Sequence, residues 1–154
     1  MKELMAYMKM VVKARKSQKT DLKYSCFEDF VLANGREFKI EPGPVKFRMG
    51  EARQCFMNSF HLSQIPREPS LIYCEGFAMG VIPLLHAWCV DSNGNVYDPT
   101  WNPIGTAYFG VPFDEKFVMK TALARRKFGL IDDWQDGFPL LLGGEDFLYK
   151  GEIR

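Results

Sequence analysis

Cys55, His86 and Asp98 occur in that chain order, and together they hold the ingredients of nucleophilic thiol chemistry. A free thiol with a pKa of about 8.5 is only about 3% thiolate at pH 7, whereas one lowered to about 6 is roughly 90% ionised. Such a shift requires positive potential at the sulfur. A helix N-terminus supplies part of it, and an adjacent imidazolium supplies more. A carboxylate on the other ring nitrogen fixes the tautomer of the imidazole and stabilises its charged form. His86 is one of only two histidines and lies in the apolar run LLHAWCVD, where a desolvated ring needs a hydrogen-bond partner.

The elements around these residues decide whether they can meet. After Gly50, the segment EARQCFMNSFHLSQI places Phe56, Met57, Phe60 and Leu62 at helical spacing up to Pro66, so Cys55 falls in the first turns of a helix. Residues 71–78, 84–91 and 96–101 read as three strands of an antiparallel sheet. The turn between the last two has two readings. A two-residue Asn93-Gly94 turn pairs residues whose numbers sum to 187 and sends His86 and Asp98 to opposite faces. A three-residue loop Ser92-Asn93-Gly94, with Gly94 left-handed in a G1 bulge, pairs residues summing to 186. That register makes Asp98 a diagonal neighbour of His86, about 7 to 8 Å away at the backbone and within side-chain reach. It is the register the chemistry requires, and it turns Cys89 away from His86.

Elsewhere, residues 3–16 form an amphipathic helix with Leu4, Met5, Met8, Val11 and Val12 on one stripe and a solvated basic face. A second helix is expected to start at Thr20 or Asp21, to bury Cys26, and to stop at Asn34-Gly35. Residues 36–48 read as short strands or extended chain around Pro42-Gly43-Pro44. Asp114 caps a helix ending just before Gly129, with Arg125-Arg126-Lys127 as a solvated face. From Leu130 on there is no period, although Trp134, Phe138, the run 140–142 and Phe147 must pack on something.

Composition sets the outer limits. A chain of 154 residues, 47% hydrophobic, can fill one sizeable core, so a single α+β domain over residues 1–154 is expected. Twenty basic against nineteen acidic residues leave a net charge of +1, which provides no global field toward nucleic acid or an anionic membrane. No apolar run approaches the roughly 20 residues of a membrane span. The N-terminus lacks a signal-peptide pattern, and four cysteines without CxxC spacing read as reduced cytoplasmic thiols. A zinc site from Cys55, Cys74, Cys89 and His86 would lack the short ligand pairs of structural zinc, and no cofactor is expected.

The segments QCFMNSF, LIYCEGFA, LLHAWCVD and VYDPTW, in this order, resemble the core of transglutaminase-like cysteine enzymes within the papain-like group. The match covers roughly residues 50–105. It implies a nucleophile helix packed on an antiparallel sheet with flanking helices. It further implies Cys55 as nucleophile, His86 as general base and acid, Asp98 as orienter, and a thioester intermediate. The implied substrate is a protein, a peptide or a small amide. Where papain-like peptidases carry a Gln several residues before the Cys, this chain has Met49, with Gln54 adjacent instead.

Around the three residues, Gln54 and the Cys55 amide are candidate oxyanion donors. Asn58 is read either as a hydrogen-bond donor near the nucleophile or as exposed helix surface, and Glu75 as an edge charge or a substrate contact. Trp88 and Trp101 flank the site, with Trp88 on the His86 face, where it shields the pair from water. His61 is read as surface or partner-facing. The competing reading of the chain is a binding module that retains the fold without turnover, its site plugged by the tail from Leu130.

Overall fold

A computed structural model describes residues 1–16, 21–41, 47–143 and 146–154, so Thr20 and Pro42-Gly43-Pro44 lie outside the described residues. Helix α1 spans Lys2–Arg15 and buries Leu4, Met8 and Val12, one residue per turn on a single stripe. Helix α2 spans Phe27–Asn34, starting later than its apolar spacing predicts. The Asp29 carboxylate accepts from the Ser25 amide (2.9 Å) and hydroxyl (3.0 Å), which places the chain turn at Ser25. Cys26 consequently stands at the N-cap, half-buried rather than in the core. Helix α3 spans Cys55–Ser63, as its spacing predicts, and helix α4 spans Glu115–Arg125. The Asp114 carboxylate caps α4 by accepting from the Phe117 amide at 3.0 Å. That helix stops short of Gly129 because Arg126 itself takes the left-handed conformation, φ 52°.

Among the described residues five antiparallel strands make the sheet: β1 (Arg36–Phe38), β2 (Ile72–Met79), β3 (Pro83–Val90), β4 (Val96–Tyr97) and β5 (Ala107–Pro112), in the order β1-β5-β2-β3-β4. Three were expected over residues 71–101, and β1 falls within residues 36–48, read as short strands or extended chain. The additional strand β5 inserts beside β2, and β4 is only two residues long because Asp98 diverts the chain. Gly76 of β2 faces Gly110 of β5, where a Cβ on either glycine would lie 2.4 to 2.6 Å from backbone of the other strand. On one face, Tyr73, Phe77, Ala87, Val111 and Phe113 pack with Leu4, Met8, Phe30, Val31 and Val118 of the helices. On the other, Cys74, Trp88, Val90 and Tyr108 pack with Phe38, Val96 and Ile153. Among the described residues no helix is long and apolar enough to cross a membrane.

The tail has structure that its sequence hides. A 3-10 turn at Trp134–Asp136 and helix α5 (Pro139–Leu142) bring Leu140 and Leu141 into the helix-side core with Phe147. Trp134 does not pack inward. It is 65% exposed, with the Lys127 ammonium 5.6 Å from its ring centroid. Arg125 and Lys127 are not a solvated face either, because both pair with the buried Asp133 and tie α4 to the tail.

Glu75 overturns both readings made of it. Strand β2 is central, and Glu75 is fully buried, out of reach of any substrate. Its carboxyl accepts from the Leu130 and Ile131 amides at 2.7 and 2.9 Å and so fastens the start of the tail to the sheet. The Tyr73 hydroxyl lies 2.6 Å from Glu75 Oε1 and 2.9 Å from the Phe128 carbonyl, two acceptors for one proton. A proton on Glu75 completes the set. Burial accordingly raises the Glu75 pKa to about 7, outweighing the Tyr73, Ile131 and Leu130 hydrogen bonds that lower it.

Because the folded value is raised, this contribution to stability is fully present below the unfolded pKa and fades as pH rises through 7. In urea unfolding, Glu75→Gln is expected to lose about 2 kcal/mol less stability than the native chain between pH 5.5 and 8.5. Identical losses in the two proteins would contradict the buried, protonated carboxyl.

Candidate functional site

The β3–β4 turn sets the geometry. Cys89 pairs with Tyr97 and Val90 with Val96, so partner numbers sum to 186 as the three-residue loop predicts. Asp91 closes that loop: its carbonyl accepts from the Gly94 amide (3.0 Å), its carboxylate takes the Asn93 and Asn95 amides, and Gly94 has φ +78°. In this register Asp98 falls beside His86, and His86 Nε2 lies 2.8 Å from Asp98 Oδ2 with both residues at most 3% exposed.

Asp98 is saturated with donors. Its Oδ1 accepts from the Thr100 amide (2.8 Å) and the Trp101 amide (3.0 Å), which curls the chain off the ladder after β4. Its Oδ2 accepts from the Tyr108 hydroxyl at 2.7 Å as well as facing the imidazole. Burial alone would raise the Asp98 pKa, but the His86, Tyr108 and Thr100 interactions prevail and hold it below the usual carboxylate range.

The ring of His86 is enclosed by aromatics, with Trp101 stacked at 4.0 Å between centroids and Trp88 on the same face of β3 at 6.4 Å. Burial lowers the His86 pKa, yet hydrogen bonding to Asp98 and to the Cys55 thiol, with their charges, raises it to about 9. The imidazolium therefore persists at neutral pH. With Nε2 turned to Asp98, Nδ1 is the nitrogen left for the thiol.

Cys55 is the first residue of α3, with Gln54 as N-cap and no side-chain cap on the helix. Its thiol is thus carried by the first turn of a helix, the turn whose amides have no partner within the helix. The preceding Arg53 has φ 65°, a left-handed conformation that bends the chain sharply into α3. Because the β4 ladder reaches only Cys89 and Val90, β3 has no β4 partner alongside His86. Cys89 points the other way, donating its thiol to the Ser59 carbonyl at 3.2 Å on the face where α3 packs. Cys74 is buried on the Trp88 face, so Cys74 and Cys89 project from opposite sides of the sheet.

Two further sequence readings need correction. Asn58 is buried rather than exposed, and its amide protons are already committed, to the Glu51 carbonyl (2.7 Å) and Thr100 Oγ1 (2.9 Å). It braces α3 against the Asp98 turn instead of serving an oxyanion. Trp88 is fully buried and shields the ring, but it cannot meet a substrate. Gln54 and Trp101 keep some exposure, and His61 is exposed against Phe60 and Phe128. Tyr108 and the Gly50 amide, which donates to the Pro99 carbonyl at 2.7 Å, were not identified from the sequence. A tyrosine on an apolar strand gives no sign of its partner.

Comparison with protein-family models, with curated proteins and with solved structures finds no match to this chain.

Asn58→Ala would strip the donor from two part-buried acceptors and slacken the joint between α3 and residues 98–101. A loss of about 1 to 3 kcal/mol in urea unfolding is expected. A change below about 0.5 kcal/mol would show that the brace carries no load.

Proposed function

We propose that this chain is a cysteine-dependent hydrolase or acyltransferase, built as a transglutaminase-like domain within the papain-like group and acting on amide or related acyl bonds. The observation that carries this reading is the buried His86–Asp98 contact of 2.8 Å. It keeps the imidazole charged and leaves Nδ1 free to serve the thiol that opens α3. The four free thiols favour a reducing compartment, and we place the protein in the cytoplasm. A protein, peptide or small amide is the substrate class.

The reaction follows from the placement of the groups. Cys55 Sγ, as thiolate, attacks the carbonyl carbon; the carbon–sulfur bond forms and the carbonyl electrons move onto oxygen. Amides at the start of α3 stabilise that oxyanion, with the Gln54 side chain as a further donor. Collapse breaks the carbon–nitrogen bond, and the amine leaves with the proton of His86 Nδ1. The product at sulfur is a thioester. Neutral His86 then takes a proton from water or from a second amine as that nucleophile attacks the thioester, and the thiolate–imidazolium pair is restored.

Trp101 stacked on the ring limits access of water to the pair. The second reading, a binding module of the same fold, draws on one observation: Cys55 is only 9% exposed. An electrophilic acyl-mimicking probe separates the two at neutral pH. The enzyme reading predicts labelling at Cys55 that Cys55→Ala abolishes and His86→Ala slows by about 100-fold or more. Undiminished labelling of the Cys55→Ala protein would contradict it.

A further inference from the structure

The β2–β3 hairpin carries a run, Met79-Gly80-Val81-Ile82-Pro83-Leu84, without a charged or hydrogen-bonding side chain. Val81 is fully exposed, Ile82 is 60% exposed and Leu84 is 45% exposed. Single exposed aliphatics are ordinary on protein surfaces, but here three fall within four residues at a turn, where polar residues usually stand.

The position of the run relative to the candidate site gives it meaning. Gly76 pairs with His86 and Ala78 with Leu84, so Leu84 projects from the same face of β3 as His86, two residues along. Trp101 joins the two regions. One side of its indole stacks on the imidazole at 4.0 Å. A Cβ on Gly80, at the hairpin, would lie 3.5 Å from the same indole, and one on Gly105 would lie 3.1 Å from it. Trp101, partly exposed, therefore reaches from the buried His86 ring to the backbone of the hairpin that carries Val81, Ile82 and Leu84.

We propose that the hairpin tip and Trp101 form the substrate-recognition surface of the Cys55 site, selecting an uncharged aliphatic or aromatic group beside the carbonyl under attack. This rests on the thiol chemistry proposed above. The occupant is neutral because the run offers nothing to pair with a charge. It is apolar because covering Ile82, Leu84 and the Trp101 edge returns the hydration cost of their exposure. It belongs to the substrate because Trp101, which bounds the hairpin surface, stacks on the imidazole of the proposed site.

The test compares three probes with one warhead: iodoacetamide, N-hexyl iodoacetamide and its carboxylate-terminated analogue, with modification at Cys55 read by mass spectrometry. The hexyl probe is expected to react with saturating kinetics and at least about tenfold faster than iodoacetamide at low concentration, with the carboxylate analogue losing that advantage. In the double variant Ile82→Ser, Leu84→Ser the preference should disappear, the hexyl probe reacting no faster than iodoacetamide with the same protein.

Equal rates for all three probes at a reactive Cys55 would overturn the proposal and leave the thiol reading standing. An inert Cys55 would overturn the thiol reading instead. The surface is then judged by titrating the protein with N-hexylacetamide: methyl shifts confined to Val81, Ile82 and Leu84, with the Trp101 indole, support it, and their absence overturns it. Binding to phosphatidylcholine vesicles that the double variant loses, without any probe preference, would assign the tip to lipid and also overturn the proposal.

Discussion

An imidazole packed between Trp101 and Trp88 with 2% exposure is tolerable only because a carboxylate stands 2.8 Å from its Nε2. Taking either partner away would strand a buried polar or charged group, a loss on the order of 3 to 5 kcal/mol for such pairs. Much of the surrounding architecture serves this contact. The carboxylate is kept ionised by four donors, two of them backbone amides from the turn that Asp98 itself nucleates. Because the His86 pKa is raised, from 6.5 to about 9, its protonation contributes stability that is fully present below about pH 6.5 and lost as pH climbs through 9, while the lowered Asp98 pKa adds a contribution that is lost in acid.

From this contact the constraints spread outward. The Gly94 bulge sets the register that puts the aspartate on the histidine's side of the hairpin. Strand β5 delivers Tyr108, whose hydroxyl accepts from the Gly105 amide at 2.9 Å and donates to Asp98. Helix α3 is then tied to the same turn through Asn58 to Thr100, and the segment leading into it through the Gly50 amide to the Pro99 carbonyl. Gly50 is small of necessity, since a Cβ there would overlap the Asn58 amide at 2.2 Å. The position of the thiol relative to the imidazole is therefore not an accident of one helix. It follows from two hydrogen bonds that bind α3 and the segment before it to the Asp98 turn.

Local signals were readable where local physics decides. The helical spacing after Gly50, the Asp114 cap and the Ser92-Asn93-Gly94 loop each depend on neighbours within a few residues, and each appears as expected. The loop had two readings from sequence, and only the need for His86 to meet a partner chose between them. What depends on distant partners was not readable. Strand β5 is a short run, AYFGVP, with neither clear alternation nor length, and it is held by β1 and β2 from far along the chain. Glu75 looked like an edge charge because nothing near it in sequence reveals that the amides of residues 130 and 131 await it. Asn58, an ordinary polar residue on a helix, conceals its role for the same reason. Helix α2 lost its first turn to the Ser25–Asp29 hydrogen bonds, which compete with the helix for the same backbone.

With only two histidines, one buried and one exposed, an NMR titration of the imidazole carbons reads the central contact without ambiguity. The account predicts that His86 remains protonated through neutral pH and titrates near 9. A His86 ring that loses its proton at or below the ordinary value of about 6.5 would contradict it, because burial without an effective Asp98 partner produces that result.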